Sequence, residues 1–186
     1  MELKVTKRAA EKKSQAKQAR LRGYIPAVVY RNGKLGEPIF VSVQEYKACV
    51  ANVEPGRLST SKFTLTGEDG QKFQALLKEI QYHPTTYDVV HLDFQQLVDD
   101  ELIRVNVPIE FAKAAECLGV KQGGVLRQVI RHLRVHCLPK HIPNVLVMDV
   151  GTLEMKQTRR LKELTIPQNV RPLADLNEVA VVVAKR

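Results

Sequence analysis

The segment RHLRVHCLPKHIP gathers His132, His136, Cys137 and His141, the side chain types that most often bind zinc. Their phase along a strand argues for something else. From Val129 the odd positions run Val129, Arg131, Leu133, Val135 and Cys137, and the even ones Ile130, His132, Arg134 and His136. Neighbouring strand side chains point to opposite faces, so Cys137 faces inward while His136 faces out beside Arg134, which repels a cation. Arg131 is the exception on the apolar face and is expected near an edge. A surface strand with one core cysteine outweighs a metal site, and neither metal nor any other cofactor is expected.

Catalysis finds no support elsewhere. No nucleophile–base–orienter set stands out, and Gly119, Gly123 and Gly124 lack the context of either common phosphate loop. Asp99-Asp100-Glu101 is most simply a solvated linker. VVHLDF (89–94) carries more information, because His91 and Asp93 share one strand face and Leu92 and Phe94 the other. By themselves they are either an ordinary exposed polar face or a preset donor–acceptor pair. An aspartate repels phosphate but suits a ribose hydroxyl or a guanine amino group in a shallow RNA minor groove. Tyr30, ending PAVVY, leaves a similar choice between a core-edge aromatic and a contact to sugar and backbone.

Charge narrows these choices. The chain has 186 residues and a net charge of +9. Residues 1–31 hold nine Lys or Arg against Glu2 and Glu11, and the other 155 residues carry 20 basic and 18 acidic groups. A helix with a solvated basic face is commonplace, but Arg8, Lys12, Lys13, Lys17, Arg20 and Arg22 have no acidic helix beside them. The local excess favours a polyanion, either nucleic acid or an acidic membrane surface. Cys49, Cys117 and Cys137 are odd in number and widely spaced, MELKVTKRAAEKK lacks a secretory apolar stretch, and the longest purely apolar run is VAVVVA. A reduced, cytoplasmic protein is expected.

These residues need elements to position them. LKVTK alternates as a short strand. RAAEKKSQAKQARLRG favours helix, Gly23 suits its stop, and Pro26 bars continuation. Its apolar face is little more than alanines and Leu21, so burial alone holds it weakly. PAVVYR and PIFVSV predict a hairpin across RNGKLGE. Ser42 with Glu45 predicts a capping box, opening a helix through Tyr46, Cys49, Val50 and Val53 that Pro55-Gly56 ends. KFTLT and QKFQALLKEIQ predict a second hairpin, His83-Pro84 a break, and YDVVHLDF a returning strand. QQLVDDE (95–101) marks a boundary. Beyond it LIRVNVPIEF, VLRQVIRHLRVHCLP, VLVMDV, LTIP and EVAVVVA predict a mostly antiparallel β domain with no obvious helix. The chain is thus mostly β with a few helices.

The ordered motifs ARLRGYIPAVVY, SVQEY, IQYHP and VVHLDF resemble those of the bacterial large-subunit ribosomal protein that binds 5S rRNA, the Ctc or general-stress-protein family. GVKQGGVLRQV, CLPKHIP and LVMDV resemble the C-terminal domain of its longer members. The resemblance implies an N-terminal small β-barrel domain (1–95) seated on 5S rRNA through the minor groove, and a C-terminal antiparallel β domain (96–186). It implies RNA contacts by Arg8, Arg20, Tyr30, His91 and Asp93; the charge of the basic segment assigns Lys12, Lys13, Lys17 and Arg22 to neutralising phosphate and setting register. It implies no catalysis, no small-molecule substrate and no membrane; other large-subunit proteins are partners open to the C-terminal domain. The sequence departs from the family at two turns. Arg31-Asn32-Gly33 follows the tyrosine where relatives have glycine, which implies a reshaped loop, and Met155-Lys156 stands where relatives usually have a glycine turn.

Overall fold

Alternation gives each N-terminal strand one mainly apolar face that must leave water, and closing those strands on themselves buries these faces at once. The computed structural model describes residues 1–8, 13–31 and 35–185, Lys13 by its backbone alone. It divides into units of residues 1–101 and 102–186. In the first, β1 (Glu2–Lys7), β2 (Tyr24–Tyr30), β3 (Glu37–Ser42), β4 (Lys62–Thr66), β5 (Lys72–Tyr82) and β6 (Val89–Gln96) form a closed barrel in the order β1-β3-β2-β6-β5-β4. The two expected hairpins are present, β2 with β3 and β4 with β5. Parallel pairing of β1 with β4 shuts the barrel, with Leu3 opposite Leu65.

Six strands leave an interior that side chains alone can fill. Leu3, Val5, Ile25, Ala27, Val29, Ile39, Val41, Phe63, Leu65, Leu92 and Phe94 fill it, and Phe63 meets Phe94 edge to face at 6.0 Å. Full burial of each large aliphatic or aromatic side chain contributes roughly 1.5–3 kcal/mol. Helix α1 (Lys13–Leu21) leads into β2, and α2 (Val43–Ala51) adds Tyr46 to the core.

Two local expectations are corrected here. Ser42 precedes α2, but its side chain makes no capping bond. Glu45 instead accepts from the Lys4 backbone N–H at 3.0 Å, tying α2 to β1. The reshaped loop expected at Arg31-Asn32-Gly33 falls largely outside the described residues. Arg31 itself is described: its Nε and Nη2 both donate to Glu101 Oε1, at 3.1 and 2.9 Å.

The second unit contains β7 (Ile103–Ala112), α3 (Leu118–Lys121), β8 (Gly124–Gln128), β9 (His132–Cys137), β10 (Leu146–Asp149), β11 (Thr158–Arg160), β12 (Arg171–Pro172) and β13 (Val179–Lys185). They make a four-stranded sheet β10-β7-β9-β12 and a three-stranded sheet β11-β13-β8. Pairing is largely antiparallel, with β7 and β10 parallel. The helix α3 went unforeseen because four residues show no period. It lies so close to β13 that a Cβ on Gly119 would come within 2.7 Å of Val183 Cγ1.

VLRQVIRHLRVHC, expected as one run, is two strands in different sheets. The chain crosses between them at 129–131, where the Val129 and Ile130 N–H groups both donate to Ala180 O. The inward phase therefore begins only at Leu133: Leu133, Val135 and Cys137 are buried, whereas Val129 and Arg131 are exposed. No helix among the described residues is long and apolar enough to cross a membrane.

Candidate nucleic-acid interface

β2 and β6 lie side by side in parallel, with Ala27 opposite Leu92, Val28 opposite Asp93 and Tyr30 opposite Gln95. Burying Ala27, Val29, Leu92 and Phe94 in the barrel turns Tyr30, His91 and Asp93 to the outer face, since strand side chains alternate. His91 Nδ1 lies 2.7 Å from Asp93 Oδ1, with both side chains half-buried. The oxygen sits off the ring N–H direction, so this is a close polar contact rather than an aligned hydrogen bond. Burial, and then the charges of Asp93 and Glu79, push the Tyr30 hydroxyl above its ordinary value. At neutral pH it is therefore a neutral hydroxyl, able to donate and accept.

Glu79 belongs to this face and was missed in the sequence. Ala75 and Leu77 point inward, so strict alternation would send Glu79 inward too. A bulge between Leu77 and Glu79 resets the phase, placing Glu79 opposite Asp93 and Ile80 opposite Leu92. One extra residue thus moves a carboxylate from inside to outside.

Helix α1 delivers Arg20 to the same region, where Arg20 Nε donates to the Val90 carbonyl at 3.2 Å, one residue before His91. Buried Ala19 is the helix's main apolar anchor. Gly23 ends it as expected, at φ 83° with nothing within 4 Å of a built Cβ; glycine serves here for its backbone freedom, not for space. Its carbonyl accepts from Val43 N–H at 3.0 Å, which fixes the turn into β2.

A second basic region lies on the other side of α1. A groove of about 450 Å³ is lined by Lys7, Arg8, Arg22, Tyr24 and Phe40 among others. The Arg8 guanidinium sits 5.5 Å from the Phe40 ring centroid, and the Arg8 N–H donates to Pro38 O. Lys7 is paired with Asp69 at 2.9 Å, which raises its pKa. A further cavity of about 410 Å³ is lined by Arg20, Tyr24, Lys47, His83 and Val90 among others. Tyr24 lines both; no sequence period distinguished it from an ordinary strand-start aromatic.

The expected residues therefore fall into groups. Arg20, Tyr30, His91 and Asp93 come together on the β2–β6 side. Arg8 and Arg22 share the groove across α1, and Lys17 stands exposed on the helix, lining neither cavity. Lys12 lies outside the described residues, and Lys13 is fixed only by its backbone. In the second unit His136 Nε2 accepts from Arg104 Nε at 2.9 Å, while His141 is exposed on a separate turn. Among the described residues no three His, Cys, Asp or Glu side chains are placed to hold a metal ion.

A small closed barrel bearing a basic helix, followed by a separate β unit, is the organisation of a two-domain ribosomal protein, and the comparisons with known proteins agree. Residues 3–94 match the Ribosomal L25p family, and residues 102–186 match the C-terminal domain of ribosomal protein TL5. The chain is 47% identical to the large ribosomal subunit protein bL25 of Chlamydia trachomatis serovar A, with both chains covered in full. It is 46% identical to that of Chlamydia muridarum and 45% to that of Chlamydia caviae, again over both full lengths. The chain belongs to the bL25 family of bacterial large-subunit ribosomal proteins, structural rather than enzymatic components that work in the cytoplasm.

Proposed function

We propose that the N-terminal unit binds 5S rRNA in the large ribosomal subunit, through the RNA minor groove. The observation that carries this reading is the meeting of Arg20, Tyr30, His91 and Asp93 on one side of the barrel. Two half-buried strand residues, a neutral tyrosine hydroxyl and an arginine fixed by a backbone carbonyl form a preset array of donors and acceptors. Asp93 gives the array its meaning. A carboxylate opposes phosphate, so its place in this array fits a donor partner such as a ribose 2′-hydroxyl or a guanine amino group. Arg8, Lys12, Lys13, Lys17 and Arg22 supply the sequence-independent part by neutralising phosphates and fixing register.

Two substitutions separate these roles when 5S rRNA affinity is measured across a salt series. Arg20→Ala weakens binding and lowers the slope of log K against log salt by about one unit. Asp93→Ala weakens binding by roughly 1–3 kcal/mol with the slope nearly unchanged. A purely electrostatic interface predicts the reverse for Asp93, because deleting an acid there would tighten binding. Tighter or unaltered binding by Asp93→Ala overturns the groove-reading role.

A further inference from the structure

The C-terminal unit carries charge that the barrel's role leaves unexplained. Residues 102–186 hold fourteen Lys or Arg against seven Asp or Glu. Part of that excess is organised on one sheet face. On β7 and β9 the register sets Arg104 opposite His136, Asn106 opposite Arg134 and Pro108 opposite His132. β12 adds Arg171, also opposite His136. The alternate residues Val105, Val107, Leu133 and Val135 are buried, so the polar set occupies the sheet's other face. Arg104, Asn106, His132, Arg134 and Arg171 are exposed there, and His136 is half-buried.

Two bonds orient this set. Arg104 Nε donates to His136 Nε2 at 2.9 Å, and Arg134 Nε donates to Asn106 Oδ1 at 3.4 Å. These bonds aim the guanidiniums across the face. No Asp or Glu occupies a paired position in this stretch; Glu110, further along β7, pairs instead with Val147 of β10. Arg104 and Arg171 stand two strands apart, a lateral separation of about 10 Å from the spacing of paired strands. Planar guanidiniums on such a face suit phosphate oxygens, which they can engage in bidentate fashion. These positions hold no aromatic ring on which a base could stack, and no apolar centre of the kind a protein partner calls for.

We propose that the β7–β9–β12 face is a second RNA-binding surface, gripping the phosphate backbone through Arg104, Arg134 and Arg171 and independent of the barrel. It does not rest on the 5S rRNA reading. The test uses the full chain and a fully paired RNA duplex of arbitrary sequence, lacking any 5S feature, titrated over a salt series. The variant Arg104→Ala/Arg134→Ala/Arg171→Ala should bind the duplex at least about tenfold more weakly, with the salt slope reduced by about two to three units. The matching triple lysine variant should keep the slope. Should the alanine triple fail to fold, each single variant should lower the slope by about one unit. Duplex binding by a folded alanine triple with unchanged affinity and slope overturns the proposal. So does unchanged duplex binding combined with lost capture of polyglutamate, which would make the face a site for acidic proteins. A loss of 5S rRNA binding on Asp93→Ala reports on the barrel alone, so the two claims fail separately.

Discussion

Tyr46 shows how a single side chain couples the barrel core to pH. Only 4% exposed, it fills the interior from α2, and burial pushes its hydroxyl from 10.0 up to about 12. Below pH 10 the group is neutral in both folded and unfolded chains. Between pH 10 and 12 the unfolded chain ionises first and binds fewer protons, so stability falls as pH rises. The expected loss is about 2 kcal/mol. Urea unfolding of the wild type at pH 9 and pH 11.5 should show it, and Tyr46→Phe should be spared that part; identical pH responses would contradict it. Single-residue chemistry was otherwise unevenly legible. His91 and Asp93 were visible because period-2 alternation continues unbroken through Leu92 and Phe94. Glu79 was invisible because the bulge that exposes it has no sequence mark beyond one misplaced charge.

Elements were legible wherever local pattern and tertiary demand agree. Gly23 ends α1 as its backbone freedom suggested, and all six barrel strands lie where the sequence pattern placed them, with β5 breaking its alternation at the bulge. The capping box failed because Glu45 has a better use, holding Lys4 N–H on a neighbouring strand, and sequence spacing says nothing of a partner 41 positions away. The run 125–139 departs from expectation for a related reason: its break at 129–131 is dictated by Ala180, far along the chain. At the turn before β11, Lys156 adopts φ 65°, with its N–H donating to Val183 O at 2.9 Å. The left-handed region costs a side-chain-bearing residue about 1–2 kcal/mol, and glycine gives back part of that through greater freedom when unfolded. Lys156→Gly should therefore stabilise the C-terminal unit by about 0.5–1 kcal/mol and raise its thermal midpoint by a few degrees. A lowered midpoint would show that the lysine side chain contributes more than its backbone strain removes.

At the scale of the whole molecule, charge alternates by region. Residues 1–31 carry nine basic groups against two acidic ones, residues 32–101 six against eleven, and residues 102–186 fourteen against seven. Treating everything after residue 31 as one nearly neutral block concealed an acidic barrel body and a second basic region, because opposite excesses cancel in a sum. On the reading proposed here, the acidic body confines polyanion attraction to the α1 side of the barrel, where the donor–acceptor array also lies. That confinement separates recognition of one structured RNA from general attraction to any RNA. A competition gel shift tests the distinction most directly, with labelled 5S rRNA bound to the full chain and unlabelled tRNA added in increasing excess. The 5S rRNA complex should persist through a large molar excess of tRNA and yield readily to unlabelled 5S rRNA; displacement by the two RNAs at equal concentration would contradict the account.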